Sequence, residues 1–328
     1  GDSEITWGLS LTIPLGWIAQ RGALVEAASA EADACAAETE SLRREVLLEL
    51  RILFLELVHA QASTASLEAM EKQTAALVEI VHRRIAGGDS RPAEATRVEI
   101  ELERVTTELE SARVELSARR AEIALWVGAP SDREIVAVAD LDALPAVMDR
   151  ETALSKARGG HPALAAAKER TRAREAELGA ERRARVPSFS LKGFTAHELD
   201  SRNIGAGVAV DLPLWNWNTG RVARAKAELA AERKQADARR FELEASVLRA
   251  QAACQASVAA AARFGGNIVP RAKSTASTLE KTYAVGEASL LEVIDARRTL
   301  LESRGLYLDA LARAHIDCSR LGSLVGEE

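Results

Sequence analysis

One short stretch of the sequence reads Ile5-Thr6-Trp7-Gly8-Leu9-Ser10-Leu11-Thr12-Ile13-Pro14 and alternates without a break between large apolar side chains and small or polar ones. A period of two is typical of a β-strand whose two faces meet different surroundings. The stretch ends at Pro14, which lacks the backbone N–H that a continuing strand would need. It therefore predicts a strand with one wholly apolar face.

Two more runs follow this pattern farther along the chain. Residues 203–212 alternate in the same way and are followed by Pro213, and residues 188–195 alternate more weakly. Strands with an apolar outer face and a polar inner face suit a membrane barrel, because lipid contacts one face and a water-filled lumen the other. Taken singly, such strands fit a half-buried position in a soluble sheet better, so the elements around them have to decide.

Long helices are predicted after these strands. Between Gly16 and Ala86 there is no proline, and apolar residues recur every three or four positions. This predicts one helix of roughly 70 residues, about 105 Å long at 1.5 Å per residue. A second stretch, from Thr219 to Tyr283, is interrupted only by Gly265, Gly266 and Pro270, so we expect a kink or short break near Pro270.

Shorter helices are predicted after each long one, over residues 92–127 and 290–325, and each pair is expected to form an antiparallel hairpin across a tight turn. The helices are rich in Ala, Glu and Arg, and small residues let helices approach closely around a solvent-filled bore. By composition alone, an ordinary coiled coil with a solvated surface is the better interpretation.

The sequence repeats once. Gly88 aligns with Gly286 at an offset of 198, and the same offset aligns residues 125–128 with residues 323–326 without a gap. The chain is therefore predicted to contain two copies of strand, long helix, tight turn and shorter helix. The second copy also has a leading helix, about 162–185, and a strand from Ser188, whereas the first copy lacks both. We therefore expect an N-terminal helix and strand to be missing from the sequence.

Composition argues against several classes of protein. Only 4% of the residues are aromatic, and the net charge of -6 comes from interspersed acids and bases without a basic block, so nucleic acid is not expected as a partner. The sequence contains no run of 18 apolar residues, so no transmembrane helix is predicted. The sequence contains neither a Gly-rich phosphate loop nor a catalytic-triad pattern, and we expect no enzymatic activity and no cofactor.

Cysteine and histidine give no indication of a metal or redox site. The three cysteines lie far apart within helical patterns without a CxxC pair, and we interpret them as small buried residues. They are Cys35, Cys254 and Cys318. The five histidines have no metal-ligand spacing, and His197-Glu198 is expected on a solvated turn between two strands. They are His59, His82, His161, His197 and His315.

Four local motifs carry a resemblance to a known family. They are His161-Pro162-Ala163-Leu164, Pro187-Ser188-Phe189-Ser190-Leu191, Pro213-Leu214-Trp215-Asn216-Trp217-Asn218-Thr219-Gly220 and Tyr283-Ala284-Val285-Gly286-Glu287-Ala288-Ser289-Leu290-Leu291-Glu292-Val293-Ile294-Asp295-Ala296. In this order they resemble the TolC-type outer-membrane factors over essentially the whole chain. The third motif, at the corner between strand and helix, looks most like the heavy-metal efflux branch. One departure is His161, which stands where the family has Asn.

The resemblance implies a mainly α fold with transmembrane β-strands, in which long antiparallel hairpins form a tunnel and three chains share a 12-stranded β-barrel. A single chain with three or four strands cannot close its sheet edges in lipid, which independently favours trimerisation. The implied protein is a passive duct in the outer membrane of a Gram-negative bacterium, with its tunnel in the periplasm. The resemblance implies that three copies of the chain form a homotrimer in outer-membrane lipid. It also implies two protein partners, a periplasmic adaptor and, through the adaptor, an inner-membrane RND-type pump.

The resemblance also predicts how the chain is divided. The expected segments are an outer-membrane strand (1–14), a first helical hairpin (15–128), an irregular equatorial link (129–160), a leading helix (161–186), a pair of outer-membrane strands (187–213) and a second hairpin (214–328).

Two acidic positions match those that line the tunnel constriction in the family, namely Glu292 and Asp295. Their equivalents in the first copy are Glu94 and Arg97. Three copies of Glu292 and Asp295 would form a narrow ring of carboxylates that attracts cations. Glu292 has a second interpretation, because Ser289 and Glu292 also have the spacing of a capping box. An ion pair between Arg97 and Asp295 is expected to tether the two hairpins.

Two further groups of residues follow from the resemblance. The hairpin tips are expected to contact the adaptor, and glycine there allows the positive φ of a helix C-cap. These tip residues are Gly87, Gly88, Asp89, Gly286, Glu287 and Ser289. The corners between strand and helix are Pro14, Pro213, Trp215 and Trp217.

Two other functions stay open. The same fold serves drug efflux or type I protein secretion, since the inner-membrane pump selects the cargo. A soluble periplasmic coiled-coil adaptor would have a similar composition, but it would contain a single hairpin between β-rich halves, whereas this sequence predicts two hairpins in a repeat.

Overall fold

The structure, a computed structural model, describes residues 7–130, 134–198, 201–211 and 217–327. The chain divides into two compact units. Unit 1 combines Gly1–Leu42 with Gly160–Leu243, and unit 2 combines Arg43–Gly159 with Glu244–Glu328.

The elements follow one another along the chain in an order dominated by helices. They are β1 (Trp7–Pro14), α1 (Trp17–Ala86), α2 (Pro92–Trp126), α3 (Arg150–Gly160), α4 (Pro162–Arg183), β2 (Ser188–Glu198), β3 (Ser201–Asp211), α5 (Thr219–Arg263), a π-helical turn (Phe264–Ile268), α6 (Val269–Ala284) and α7 (Leu290–Val325). No helix in the described ranges is both long enough and apolar enough to cross a lipid bilayer.

The three predicted strands form one antiparallel sheet in unit 1, in the order β1-β2-β3. Strand β2 extends three residues beyond its predicted end at Thr195, to Glu198. His197 therefore lies within the strand, where its ring stacks on Trp7 at 6.4 Å between centroids, and the prediction of a turn at His197 was wrong. The outermost predicted strand residues, Ile5, Thr6 and Leu212, lie outside the described residues.

The register of the sheet separates two chemically different faces. Leu11 of β1 pairs with Gly193 of β2, which pairs with Ala206 of β3, and the neighbouring rows on this face are also predominantly apolar. Leu9, Leu11 and Ile204 are 68%, 66% and 74% exposed. Nothing in the described part of the chain covers this outer face, and exposed apolar surface of this extent is typical of a strand in contact with lipid.

Small residues pack the helices of unit 1. Ala23, Ala27, Ala30 and Ala34 of α1 recur every three or four positions and are all buried. A Cβ added to Gly179 of α4 would lie 4.0 Å from Cβ of Ala23, so the two helices approach as closely as their small side chains permit. The surfaces of this unit carry ion pairs between helices, such as Arg170 with Glu38 and Arg233 with Glu175.

Unit 2 contains both predicted hairpin turns, in which the part of α1 after Leu42 is followed by α2 and α6 is followed by α7. The break expected near Pro270 is a π-helical turn at Phe264–Ile268, in which the N–H of Val269 bonds the carbonyl of Phe264. Pro270 has no N–H and its ring clashes with the carbonyl four residues earlier in a regular α-helix, so widening the preceding turn relieves the conflict.

The link between the copies is held against these helices by side chains. Both backbone groups of Ala137 bond the amide of Gln61, at 2.9 Å each, and Leu141 accepts a hydrogen bond from His315 Nε2 at 2.9 Å. Ala137 and Leu141 are buried in the largest apolar cluster of the unit, with Leu57 and Leu311. The link is thus an anchored part of the core.

The link is less irregular than predicted, because Arg150–Gly160 forms α3. Asp149 caps this helix, since its Oδ1 accepts the N–H groups of Glu151 and Thr152 at 3.0 Å each. These bonds lower the pKa of Asp149, with the bonds to Thr152 contributing most. The signal was present in the sequence, since Asp is among the preferred N-cap residues.

The prediction of three small buried cysteines was right for the burial of Cys254, but it missed a disulfide and was wrong for Cys35. Cys254 of α5 and Cys318 of α7 form a disulfide, with Cα atoms 4.7 Å apart, and Cys35 is a free, exposed cysteine. A separation of 64 residues and the absence of a CxxC pair concealed the pairing, because the two positions meet only after the helices pack.

Removing the disulfide with Cys254→Ser or Cys318→Ser is expected to lower the stability of unit 2 by about 2–4 kcal/mol, because the cross-link restricts the unfolded chain. Thermal unfolding followed by circular dichroism measures the loss. Cys35→Ser is the matched control and should have no effect. The disulfide would be ruled out if all three variants melted at the same temperature and a thiol reagent detected three free cysteines in the unfolded native-sequence protein.

Tyr307 connects the link to the π-helical turn. Its hydroxyl donates to Asp142 Oδ1 at 2.8 Å, and its ring lies so close to Gly265 that an added Cβ there would sit 2.9 Å from the ring. Only glycine accommodates this approach. Burial, followed by the hydrogen bond to Asp142, raises the pKa of Tyr307 to about 12.

The raised pKa predicts a dependence of stability on alkaline pH. The folded state favours the neutral phenol, so the contribution of its hydroxyl is full below pH 10 and is lost as the pH rises through about 12. Tyr307→Phe should therefore lower the free energy of unfolding by about 1 kcal/mol at pH 8, and it should have no effect near pH 12. Urea unfolding of both proteins across this range tests it, and a cost that does not change with pH would contradict it.

Candidate functional site at the hairpin tips

Both hairpins of unit 2 turn through the same backbone geometry. Gly88 and Gly286 each have φ of +83°, the left-handed conformation that glycine adopts without strain. The N–H of Asp89 bonds the carbonyl of Arg84 at 2.8 Å, and the N–H of Glu287 bonds the carbonyl of Thr282 at 2.9 Å. These equivalent bonds close both helix ends in the same way. The tips are therefore structural copies of each other.

The helices that return from the two tips begin differently. Ser289 and Glu292 form the predicted capping box, in which the Glu292 N–H donates to Ser289 Oγ at 3.3 Å and Glu292 Oε2 accepts the N–H of Ser289 at 2.8 Å. The backbone bond first, and then the bond from the Ser289 hydroxyl, lower the pKa of Glu292. In the first hairpin, Pro92 begins α2 and Arg91 provides no side-chain cap.

The predicted constriction residues lie on the first turns of α2 and α7. Glu292 and Asp295 border a groove of about 440 Å³ between α6 and α7, together with Thr275 of α6. Both acids are exposed, and Glu292 is held ionised by its cap. Glu94 and Arg97 occupy the matching positions on α2. The structure thus places two carboxylates on one accessible surface beside a hairpin tip.

The expected tether between Arg97 and Asp295 is not among the ion pairs that the described residues form within one chain. Instead Arg298 of α7 donates from Nε to Glu101 of α2 at 2.9 Å, and Arg104 donates to the same carboxylate at 2.7 Å. Glu101 is only 4% exposed. Burial by itself raises the pKa of Glu101, but the hydrogen bonds from Arg298 and then Arg104 outweigh it, and the net pKa is lowered.

A second contact ties the first hairpin to the second nearer their tips. Arg84 donates from Nη1 to the carbonyl of Tyr283 at 2.5 Å, and its guanidinium lies 4.5 Å from the centre of the Tyr283 ring. Such stacking of a cation on an aromatic face is stabilising. Beneath it, both hairpins contribute to one buried apolar cluster, for which Val81, Val98 and Val293 are examples.

Each hairpin also has an internal contact between a basic and an acidic side chain at an equivalent position. His82 Nε2 lies 3.0 Å from Glu99 Oε1, and Arg297 Nε lies 2.7 Å from Glu280 Oε1. The repeat offset of 198 relates His82 to Glu280 and Glu99 to Arg297. The geometry is therefore repeated while the basic and acidic partners are exchanged.

A family model described as "Outer membrane efflux protein" matches residues 153–327, which is more than half of the chain. The chain belongs to the outer membrane efflux protein family. Members of this family are trimeric outer-membrane channels that work with adaptor and pump partners, so the protein is an outer-membrane channel component and not an enzyme.

Comparisons with individual proteins agree with this assignment. The chain is 26% identical over 319 residues to the cobalt-zinc-cadmium resistance protein CzcC of Cupriavidus metallidurans, covering 96% of this chain and 76% of that protein. Among solved structures it is similar to CusC, with a TM-score of 0.82 at 18% identity, covering 98% and 78% of the two chains. The open outer-membrane channel MtrE of Neisseria gonorrhoeae gives a TM-score of 0.81 at 17% identity, covering 99% and 80%. The predicted fold class is confirmed.

The corner that leads from β1 to α1 in this efflux protein is tight. Pro14 is the last residue of β1, and a Cβ added to Gly16 would lie 2.7 Å from Cβ of Ser188. Trp217 is 58% exposed. Pro213 and Trp215 lie outside the described residues.

Sequence reasoning missed two polar groups that connect neighbouring helices. Asn218 has φ of 55° and donates from Nδ2 to the carbonyl and carboxylate of Glu181, at 2.9 and 2.7 Å, which fixes the start of α5 to α4. Glu101 was visible as a lone acid in the apolar row of α2 that includes Val98 and Val105. An acid in such a row is expected to have a partner, but the sequence does not identify Arg298.

A double-mutant cycle with Glu101→Gln and Arg298→Gln is expected to give a coupling energy of about 1 kcal/mol at pH 7. This value is below the usual range for charged hydrogen bonds because Arg298 is exposed. Since the folded pKa of Glu101 is lowered, its contribution is present above its ordinary pKa of 4.5 and is lost as the pH falls below it. Urea unfolding at pH 7 and pH 3 measures both effects.

Arg320→Gln is the control for this cycle, because Arg320 is an exposed α7 cation paired only within its own helix, to Asp317. Combined with Glu101→Gln it should give additive changes. Zero coupling between Glu101 and Arg298 would contradict the ion pair between hairpins.

Proposed function

We propose that this chain is one protomer of a homotrimeric outer-membrane duct that releases metal cations, delivered by an inner-membrane RND-type pump through a periplasmic adaptor. The observation that carries the proposal is the sheet whose exposed apolar face suits lipid, with β1 followed directly by the long helix α1. Metal cations are favoured as cargo by the resemblance to a cobalt-zinc-cadmium resistance protein.

Trimerisation follows from the edges of the sheet. Strands β1 and β3 are the outer strands of the described sheet, so each has one edge without a strand partner in the described chain. Unpaired backbone groups are costly in lipid, and closure with strands of neighbouring protomers satisfies them. In this arrangement segments 1–14 and 187–213 lie in the outer membrane, and the hairpins 15–128 and 214–328 lie in the periplasm. The link 129–160 is the equatorial belt, and 161–186 is the leading helix.

The acidic surface at the second tip supports cation conduction. Glu292 and Asp295 are both exposed on α7 and would be present three times in the trimer. A ring of carboxylates in a narrow aqueous passage attracts cations and binds divalent ions. We assign the periplasmic mouth of the duct to this surface, which lies close to the tip turn. Glu94 and Arg97 would line the same mouth from the first hairpin.

The tips themselves are the proposed docking site of the adaptor. Gly87, Gly88 and Asp89 of the first turn and Gly286, Glu287 and Ser289 of the second are exposed. Both turns have the same backbone geometry, so two similar surfaces of the adaptor can engage one protomer. The conserved geometry would position the partner, and the differing side chains would select it.

The combined change Glu292→Gln and Asp295→Asn is expected to weaken divalent-cation block of single channels about tenfold and to lower the preference for cations over anions. Gln retains an oxygen that can accept the Ser289 N–H, so the helix cap persists and a loss of folding is avoided. The measurement is single-channel conductance and reversal potential of the trimer in planar bilayers.

Glu110→Gln is the matched control, since Glu110 is an exposed acid on α2 several turns from the tip. It should leave block and selectivity unchanged. Unaltered block in the double variant would remove both acids from the mouth. A water-soluble monomer without conductance would contradict the duct itself, and export of an organic compound without any effect on metal tolerance would contradict the cargo.

A further inference from the structure

The inner face of the sheet carries a charge that no acid in the described chain neutralises. This face, opposite the apolar outer face, includes Ser10, Thr12, Lys192, Phe194, Gly205 and Gly207. Lys192 is exposed, and its neighbours in the register are Thr12 on β1 and Gly207 on β3. A Cβ added to Gly207 would meet nothing within 4 Å, so the space beside Lys192 is open.

The nearest acid in the pairing pattern of this face is engaged elsewhere. Asp211 pairs in the register with Ser188 and accepts its hydroxyl at 3.2 Å. Gly207 is the residue of β3 opposite Lys192. Ala209 separates Gly207 from Asp211 on the inner face, and Asp211 lies at the end of the strand. Among the described residues no ion pair involves Lys192. Its ammonium is therefore a fixed positive charge on the face that would line the lumen.

Phe194 is the only aromatic residue on the described part of the inner face, next to Lys192 along β2. Its ring lies across Gly205, the residue directly opposite, where an added Cβ would sit 2.4 Å from the ring atom Cζ. Gly205 has no positive φ, so the close approach of the ring is the reason for glycine there. The Phe194 ring is 50% exposed and packs against the backbone of Gly205, so it places an apolar surface next to the charge of Lys192.

We propose that Lys192 and Phe194 form a selectivity collar inside the barrel, opposite in charge to the acidic mouth. The inference rests on the proposed trimeric duct, in which three ammonium groups and three phenyl rings would line one level of the lumen. Fixed charges on a low-dielectric wall repel ions of the same sign, and substitutions facing a barrel lumen tune selectivity. The collar lowers the preference for cations over anions that the acidic mouth establishes, without closing the lumen to cations.

Charge reversal tests the collar. Lys192→Glu is expected to raise the cation-to-anion permeability ratio of single channels about twofold in 0.1 M KCl, and the effect should disappear in 1 M KCl, where the screening length falls to about 3 Å. Lys192→Gln should give a smaller change in the same direction. A merely structural role for Lys192 would not produce this dependence on salt.

Matched controls exist for both residues. Arg202→Gln removes a cation from the outer face of the same sheet, where it pairs with His197, and should not alter selectivity. Phe194→Ala should raise single-channel conductance measurably, whereas Phe189→Ala, on the outer face of the same strand, should not.

The outcomes separate this inference from the proposed function. A wild-type protein that forms no channel overturns both. A channel that responds to the Glu292 and Asp295 changes but keeps its permeability ratio in Lys192→Glu overturns the collar alone, and so does an equal response to Lys192→Gln and Arg202→Gln.

Discussion

Every backbone N–H and C=O group at the edges of the sheet has to find a hydrogen-bond partner, and this requirement shapes the rest of the molecule. The outer edges of β1 and β3 find no strand within the described chain, while the face between them is apolar and exposed. Water could form hydrogen bonds with the strand edges, but contact with water would be unfavourable for the apolar face. Lipid is a favourable environment for the apolar face, but it leaves the backbone groups of the edges without hydrogen bonds. Only association with further strands in a membrane satisfies both at once.

The helices of unit 2 are joined by specific connections in addition to their apolar clusters. These are a disulfide between α5 and α7, a buried carboxylate shared by two arginines, and a link anchored through the amide of Gln61. Local bonds of this kind fix which helices are neighbours without enlarging the core.

Sequence periodicity predicted the strands, the long helices and both tips, because these features depend on local pattern and on the repeat. The break near Pro270 was also predictable, since proline forbids a regular turn before it. The disulfide and the Arg298–Glu101 pair were not, because each joins residues far apart in sequence whose meeting depends on helix packing. Helix α3 showed a third limit, because its N-cap Asp149 was present in the sequence but lay in a segment interpreted as irregular. The roles of Glu292 and Asp295 in conduction remain predictions.

The contact between a basic and an acidic side chain is found in both hairpins, but the positions of the base and the acid are exchanged. His82 faces Glu99 in one copy, and Glu280 faces Arg297 in the other. A recombination event between the two halves that joined the outgoing helix of one hairpin to the returning helix of the other would set His82 against Arg297, or Glu280 against Glu99. Both hybrids confront a base with a base or an acid with an acid. The two helices of each hairpin have therefore become a matched set, and a helix of one hairpin cannot replace its counterpart in the other without losing this pair.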